Sequence, residues 1–116
     1  MELYYSYVFP VLADALAEFK PSAADLQEPL PYIFMFQMVE FVCDRAYAGL
    51  PQVNPSLRQF ATLMERLISD GDSDVHDLAH DGLESVWARE EGEFVASFFG
   101  PKTQALWVRI CAGERG

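Results

Sequence analysis

Two histidines on one predicted helix have the spacing that most resembles an enzyme motif. The segment His76-Asp77-Leu78-Ala79-His80 places them four residues apart, as the helix of a zinc protease does. That motif has glutamate at its second position, because the carboxylate must reach a metal-bound water, and aspartate is one methylene shorter. The sequence assigns no third ligand. We therefore interpret the pair as surface histidines that flank the helix among acidic residues, with a metal-dependent enzyme as an alternative.

Acidic side chains are concentrated around these histidines. The chain has 18 acidic and 8 basic side chains and a net charge of −10, and residues 65–93 hold ten of the acids against two arginines. Such a charge disfavours binding to nucleic acid or to anionic membranes. Two interpretations of the acidic stretch stay open: a solvated face that maintains solubility, or a landing surface for a basic protein partner. The candidate partner-binding residues are Asp70, Asp72, Asp74, Asp77, Asp81, Glu84, Trp87, Glu90, Glu91 and Glu93.

The remaining reactive or anchoring side chains favour the core over chemistry. Cys43 and Cys111 lie on predicted apolar faces without a neighbouring histidine, so we predict buried, reduced thiols and neither nucleophiles nor a disulfide. Trp107 is predicted in the core. Trp87 belongs to an apolar helix face but borders the acids, so it is either core or an exposed anchor for a partner. No glycine-rich phosphate loop is present, and we predict no cofactor.

Composition bounds the architecture to one domain over residues 1–116. With 51% hydrophobic and 14% aromatic residues, the chain can fill one compact core. Lys20 is the only basic residue among the first twenty, so we do not expect a signal peptide. The most apolar run, Tyr32 to Cys43, is shorter than the ~20 residues that a membrane span needs. We expect a cytoplasmic protein, either a monomer or a weak dimer.

Apolar residues recur at helical spacing along nearly the whole chain, which predicts an all-α fold. Pro55, which follows the capping residue Asn54, and Pro101 are each expected to open a helix. Gly49 is expected to end the central helix, and Gly82 to allow a close approach between two helices. The predicted elements are a helix over 8–19, a loop over 20–31 with one turn at 23–27, a buried central helix over 32–48, a helix from 55 to 68, a turn over 69–73, a helix over 75–87, a short helix over 94–99 and a last helix from 101. We predict a compact bundle of about five to six helices, or stacked HEAT-like antiparallel hairpins.

A family resemblance is carried by Leu63 to Trp87 and by the segment Phe99-Gly100-Pro101-Lys102-Thr103 with Trp107. The first stretch is similar to a HEAT-type hairpin with an acidic turn, and its second helix contains the pair Leu83-Glu84. Together the two segments resemble a family of small bacterial helical proteins of unassigned function. Members of such families resemble immunity proteins, the cognate inhibitors of bacterial toxins. The histidines at 76 and 80 depart from the family pattern.

Three functional hypotheses follow from the sequence. The first is an immunity protein that covers the basic cleft of a protein toxin with its acidic hairpin. The second is a HEAT-like adaptor without inhibitory role that joins two proteins through an apolar surface. The third is the metal-dependent enzyme built on His76 and His80, which we rank last because the motif is incomplete.

Overall fold

Within residues 2–48 and 55–113, which the computed structural model of the protein describes, the chain forms seven α-helices and no β-strand. A 3-10 turn at Tyr5–Tyr7 precedes the first helix. The helices are α1 (Val8–Ala15), α2 (Ala23–Gln27), α3 (Pro31–Ala48), α4 (Pro55–Asp70), α5 (Ser73–Trp87), α6 (Gly92–Ala96) and α7 (Pro101–Cys111). The predicted all-α bundle is confirmed. None of these helices combines the length and the hydropathy that a membrane span requires.

Most of the predicted helix boundaries agree with the structure to within a few residues. The turn predicted at 23–27 is α2, and both α4 and α7 begin at the prolines expected to open them. The predicted helix end at Gly49 and cap at Asn54 lie outside the described residues. The predicted turn over 69–73 is narrower than expected, since α4 continues through Asp70 and only Gly71 and Asp72 separate it from α5.

The first helix is shorter than predicted. α1 ends at Ala15, and Leu16 has the extended backbone angles φ −112° and ψ 125°. After this break Phe19 lies back on the core, with its ring centroid 5.2 Å from that of Phe34 and 5.0 Å from that of Phe41. The helix was predicted to continue to Phe19 because of the spacing of its apolar residues. That spacing therefore reflects burial of Phe19 and not a continuing helix.

The core is one cluster of apolar side chains to which all the long helices contribute. α4 buries the predicted stripe, of which Leu57, Phe60, Met64 and Leu67 are at most 1% exposed. α7 contributes Trp107, which is 6% exposed as predicted, and whose ring packs edge-on against that of Phe99 at 5.7 Å. Burial of side chains of this size contributes about 1.5–3 kcal/mol each, so the cluster is the main source of stability.

α3 crosses the middle of the bundle. The sequence predicted that other helices enclose it on every side, but one side is open to solvent. Its inner face consists of Phe34, Met35, Met38, Val39, Val42 and Cys43, all at most 1% exposed. Its outer face is open, because Tyr32, Ile33 and Phe36 are 41%, 51% and 51% exposed. The prediction was wrong here because apolar residues on all sides of a helix fit either full burial or one face left for an interface.

Gly82 allows α5 to pack closely against α3, as predicted. A Cβ atom at this position would lie 2.9 Å from the sulfur of Met35 and 3.4 Å from Cε of Met64. Any larger residue would push α5 away from the core or displace Met35. The short α3–α5 distance at Gly82 sets the separation of the surface residues on the two helices.

The chain before α1 is paired with the turn between α4 and α5. The Leu3 N–H donates to the Asp70 carbonyl at 2.7 Å, and the Asp72 N–H donates to the Leu3 carbonyl at 2.9 Å. The Asp72 carboxylate then accepts from the Val75 N–H at 2.9 Å, as a helix cap, and from the Tyr5 N–H at 3.2 Å. One side chain thus begins α5 and holds the N-terminal segment in place.

Glu65 on α4 caps the N-terminus of α7 from a distance in sequence. Its carboxylate accepts from the Lys102 N–H at 3.1 Å, the Thr103 N–H at 2.9 Å and the buried Thr103 hydroxyl at 2.8 Å. A Cβ at Gly100 would lie 2.8 Å from the same carboxylate, so glycine leaves room for it. These contacts give the Gly-Pro-x-Thr segment a structural role at the start of α7.

We predict that Glu65→Ala lowers the free energy of unfolding by about 1–2 kcal/mol at neutral pH, because two N–H groups and one hydroxyl lose their acceptor. Burial opposes ionisation, but the hydrogen bonds from Thr103 and Lys102 outweigh it and hold the pKa of Glu65 below its usual value. A lowered folded-state pKa stabilises above the unfolded pKa, so the difference between the variant and the wild type should shrink as the pH falls below about 4. Urea denaturation across this pH range measures it, and a difference that grows on acidification would contradict the assignment.

Candidate partner-binding groove

A groove of about 480 Å³ lies along the outer face of α5. Its lining combines α5 with one end of α3 and with α7, and consists of Tyr32, His76, Asp77, His80, Asp81, Glu84, Leu106 and Arg109. Three of the predicted partner-binding residues, Asp77, Asp81 and Glu84, share this groove. Their spacing of four and three residues places them on one face of the helix, and we call them the acidic row.

The acidic row makes the groove electronegative. Three carboxylates face one guanidinium, that of Arg109, which is exposed near the end of α7. Partial burial, the neighbouring Tyr5 and the carboxylates of Asp77, Asp81 and Asp74 together raise the pKa of Tyr32. The tyrosine therefore lies within the electric field of the acids and keeps its proton at neutral pH. A cation in the groove would meet carboxylates and an aromatic ring.

The two histidines lie in the same groove but in different environments. His76 is exposed, whereas His80 is half-buried with its Nδ1 3.7 Å from Oε1 of Glu84. Nε2 of His80 is fully buried and has no hydrogen-bond partner among the described residues. Within residues 2–48 and 55–113, no three histidine, cysteine, aspartate or glutamate side chains are grouped as a metal site requires. The predicted position of the histidines on the helix flank is correct for His76 and only partly so for His80.

Two of the candidate acids lie at the junction between α4 and α5, Asp70 as the last residue of α4 and Asp72 as the cap of α5. Asp72 uses its carboxylate for the hydrogen bonds to Val75 and Tyr5, so its side chain is committed within the protein. Asp70 is half-buried and borders a separate depression beside α4, together with Arg58 and Phe98. Asp74, by contrast, is exposed on the first turn of α5 and extends the acidic row by one turn. Of Asp70, Asp72 and Asp74, only Asp74 is therefore exposed to solvent.

One of the candidate acids beyond α5, Glu91, is paired with an arginine. Arg89 donates to Glu91 Oε1 at 3.1 Å and to Asp44 Oδ1 at 2.9 Å, and its third nitrogen lies 3.5 Å from Glu40 Oε2. The Glu91 side chain is only 6% exposed and is held inside this cluster. Glu90 and Glu93 are exposed at the same end of α5. The structure thus places Glu91 in an internal ion pair and leaves the other two at the surface.

Trp87 is at the surface and not in the core. It is 53% exposed at the last residue of α5, so its expected place on the apolar face of the helix was wrong. The buried face of α5 ends at Val86, one residue earlier, which is fully buried. The alternative considered from the sequence, an aromatic anchor beside acids, fits the observed exposure.

An apolar strip on α3 adjoins the groove. It consists of Tyr32, Ile33 and Phe36, which are exposed large apolar side chains of α3, whereas Gln37, Glu40 and Asp44 are exposed polar ones. Tyr32 belongs to both surfaces, since it lines the groove and also starts the strip. Sequence reasoning missed the strip, along with Arg109 and the contribution of Leu106 to the groove. No sequence signal identifies them, because only the packing of α3, α5 and α7 brings these residues together.

The cysteines differ in environment. Burial raises the pKa of the Cys43 thiol to about 11, although the nearby Arg89 lowers it, so this thiol is unreactive at neutral pH. Cys111 is exposed at the end of α7, and the prediction that it is buried was wrong. The apolar stripe of α7 runs through Leu106, Trp107 and Ile110, and Cys111 lies just beyond it.

The side chains of the groove suit recognition of a cationic group. Carboxylates in a row accept hydrogen bonds from lysine or arginine, and tyrosine and leucine provide apolar contact with the aliphatic part of such side chains. Comparisons of the chain with protein-family models, with curated proteins and with solved structures found no match. The function is therefore inferred from the groove and its surroundings.

The structural role of Asp72 leads to a prediction. Asp72→Ala should lower the free energy of unfolding by about 1–2 kcal/mol, because α5 loses its cap and Tyr5 loses its acceptor. Asp74→Ala, two residues away and exposed, is the matched control and should change it by no more than about 0.5 kcal/mol. Urea denaturation of the two variants measures the difference, and equal effects would show that Asp72 does not have this role.

The cysteine environments lead to another prediction. In the folded protein a chromogenic disulfide reagent should react rapidly with Cys111 alone, and with Cys43 only after denaturation. Cys111→Ser should abolish the reaction of the folded protein and leave the reaction of Cys43 after denaturation unchanged. Rapid reaction of two thiols in the native protein would contradict the burial of Cys43.

Proposed function

We propose that the protein is an immunity protein, which binds a cognate bacterial toxin and inhibits it by placing the acidic row over a basic cleft of the toxin. The observation that carries the proposal is the groove on α5, where the exposed Asp77 and Asp81 stand together with the half-buried Glu84. Toxins that act on nucleic acids or nucleotides need basic clefts to bind their substrates. An acidic surface of complementary shape would associate with such a cleft rapidly and exclude the substrate.

Several further features support this proposal. The exposed Asp74, Glu90 and Glu93 extend the negative surface beyond both ends of the acidic row, and Trp87 provides an exposed aromatic anchor next to it. Tryptophan is enriched among the hot spots of protein interfaces. The α4–α5 hairpin and the Gly-Pro-x-Thr segment resemble a family of small helical proteins, and members of such families resemble immunity proteins. Asp72 and Glu91 are excluded from the proposed contact set, because their carboxylates serve contacts within the protein.

The adaptor hypothesis is the second candidate, and the apolar strip on α3 is the observation that favours it. An adaptor would bind through Ile33 and Phe36, and its acidic face would serve solubility. Ionic strength separates the two functions. Association through the acidic row should slow as salt rises above ~0.15 M, whereas association through an apolar surface should respond little.

The proposal is tested by co-expression with the protein encoded immediately upstream, followed by pull-down and a growth assay with and without this chain. We expect the upstream protein to be toxic alone, and the chain to form a complex with it and to restore growth. Failure to recover a basic protein partner, or growth inhibition that the chain does not relieve, would contradict the proposal.

Charge reversal locates the contact surface. The triple variant Asp74→Lys, Asp77→Lys and Asp81→Lys should weaken binding at least about tenfold and abolish rescue, because lysines would face the basic cleft. The control reverses three exposed acids elsewhere, Glu2, Asp14 and Glu28, with the same change in net charge. Isothermal titration calorimetry with the purified partner measures the affinity of both variants. An equal loss of affinity in the two would show that total charge, and not the groove, determines binding.

A further inference from the structure

We propose that the acidic row and the apolar strip together form one docking site for a basic amphipathic helix of the partner protein. The inference rests on the proposed function and specifies the structural element that the partner presents. The occupant has lysine or arginine along one side and apolar residues along the adjacent side. The acidic row binds the first side, and the apolar strip on α3 binds the second.

The two surfaces are adjacent because α3 and α5 lie side by side and run in the same direction. Tyr32, at the start of α3, shares the groove with Asp77 and Asp81 of α5. At the other end, Asp44 of α3 is 2.9 Å from Arg89, just after α5. Phe36 lies one turn after Tyr32 and on the same side of α3, so it follows the acidic row along its length.

The apolar strip is a group of adjacent large apolar side chains that are all exposed to solvent. Ile33 and Phe36 are each 51% exposed and Tyr32 is 41% exposed, within one turn of α3. Contiguous large apolar side chains with a charged border are typical of interaction sites. Covering Phe36 would remove its exposed apolar surface from water, which favours binding, and a partner that covers only the acids would lack this contribution.

The spacing of the acids specifies the charge pattern of the occupant. Asp77, Asp81 and Glu84 follow one another at four and three residues, which spans about 10 Å along the α5 axis. A helix that lies along α5 with basic residues at the same spacing brings each of them opposite a carboxylate. Its apolar residues, about a quarter turn away, then face Phe36 and Ile33.

Charge argues against a second copy of this chain as the occupant. A symmetric dimer through the strip would bring two acidic rows together, each bordering the same apolar patch. Repulsion between them opposes association in a protein of net charge −10. A basic helix instead neutralises the acids at the same time as it covers the strip, so both parts of the surface favour the same occupant.

The test uses two synthetic peptides of equal composition, built from lysine, leucine and alanine, and the full chain. The amphipathic peptide has lysines at alternating spacings of four and three residues and leucines on the adjacent side of the helix. The permuted peptide has the same residues in an order that places neither the lysines nor the leucines on one side of a helix. Fluorescence anisotropy measures the dissociation constants. We expect the amphipathic peptide to bind at least about tenfold more tightly, and circular dichroism to show that it becomes helical on binding.

Variants of the chain assign the contacts. Phe36→Ala should weaken binding of the amphipathic peptide about tenfold and leave the affinity for the permuted peptide unchanged. Val108→Ala is the matched control, because Val108 is 60% exposed on α7 and does not line the groove, and it should have no effect. Asp81→Asn should weaken both peptides, since both carry the same positive charge.

Equal affinity of the two peptides, no binding of either, or no effect of Phe36→Ala would overturn the helix inference. The proposed function is judged separately, because charge reversal on α5 must still weaken the natural partner whichever element that partner presents. A monomer–dimer equilibrium in sedimentation velocity that Phe36→Ala abolishes would assign the strip to self-association and would likewise overturn the inference.

Discussion

The close packing of α3 against α5 is the constraint on which the surface of this protein depends. Gly82 lets the two helices approach until Met35 contacts the α5 backbone, with no room for a side chain in between. That distance fixes how far Tyr32 and Phe36 lie from the acids of α5. Both the groove and its apolar border therefore depend on one contact in the core between Gly82 and Met35.

The acidic residues have two different roles that the sequence does not distinguish. Asp72, Glu65 and Glu91 accept hydrogen bonds from within the protein. Asp72 and Glu65 join segments that are distant in sequence and cap helices, whereas Glu91 pairs with Arg89, two residues away. Asp74, Asp77 and Asp81 remain exposed along α5. Mutual repulsion among the exposed acids is a cost in stability, which the apolar core must offset.

The sequence predicted the fold well and the site only in part. Helix starts at Pro55 and Pro101, the close approach at Gly82 and the burial of Trp107 all follow from local rules about backbone geometry and periodicity. The end of α1, the open face of α3 and the exposure of Trp87 depend on which neighbours are present in the folded chain. Spacing alone cannot tell an apolar face that meets another helix from one that meets solvent.

The capping of α7 by Glu65 links two parts of the molecule that have different roles. α7 supplies one wall of the groove through Leu106 and Arg109, yet its start is held by a carboxylate on α4, which does not line that groove. A substitution at Glu65 or Thr103 that loosens α7 would therefore move the groove wall without removing any contact with a partner. A mutational scan scored by binding alone would assign such residues to the interface, and only a parallel scan of folding stability would separate the supports of the surface from the surface itself.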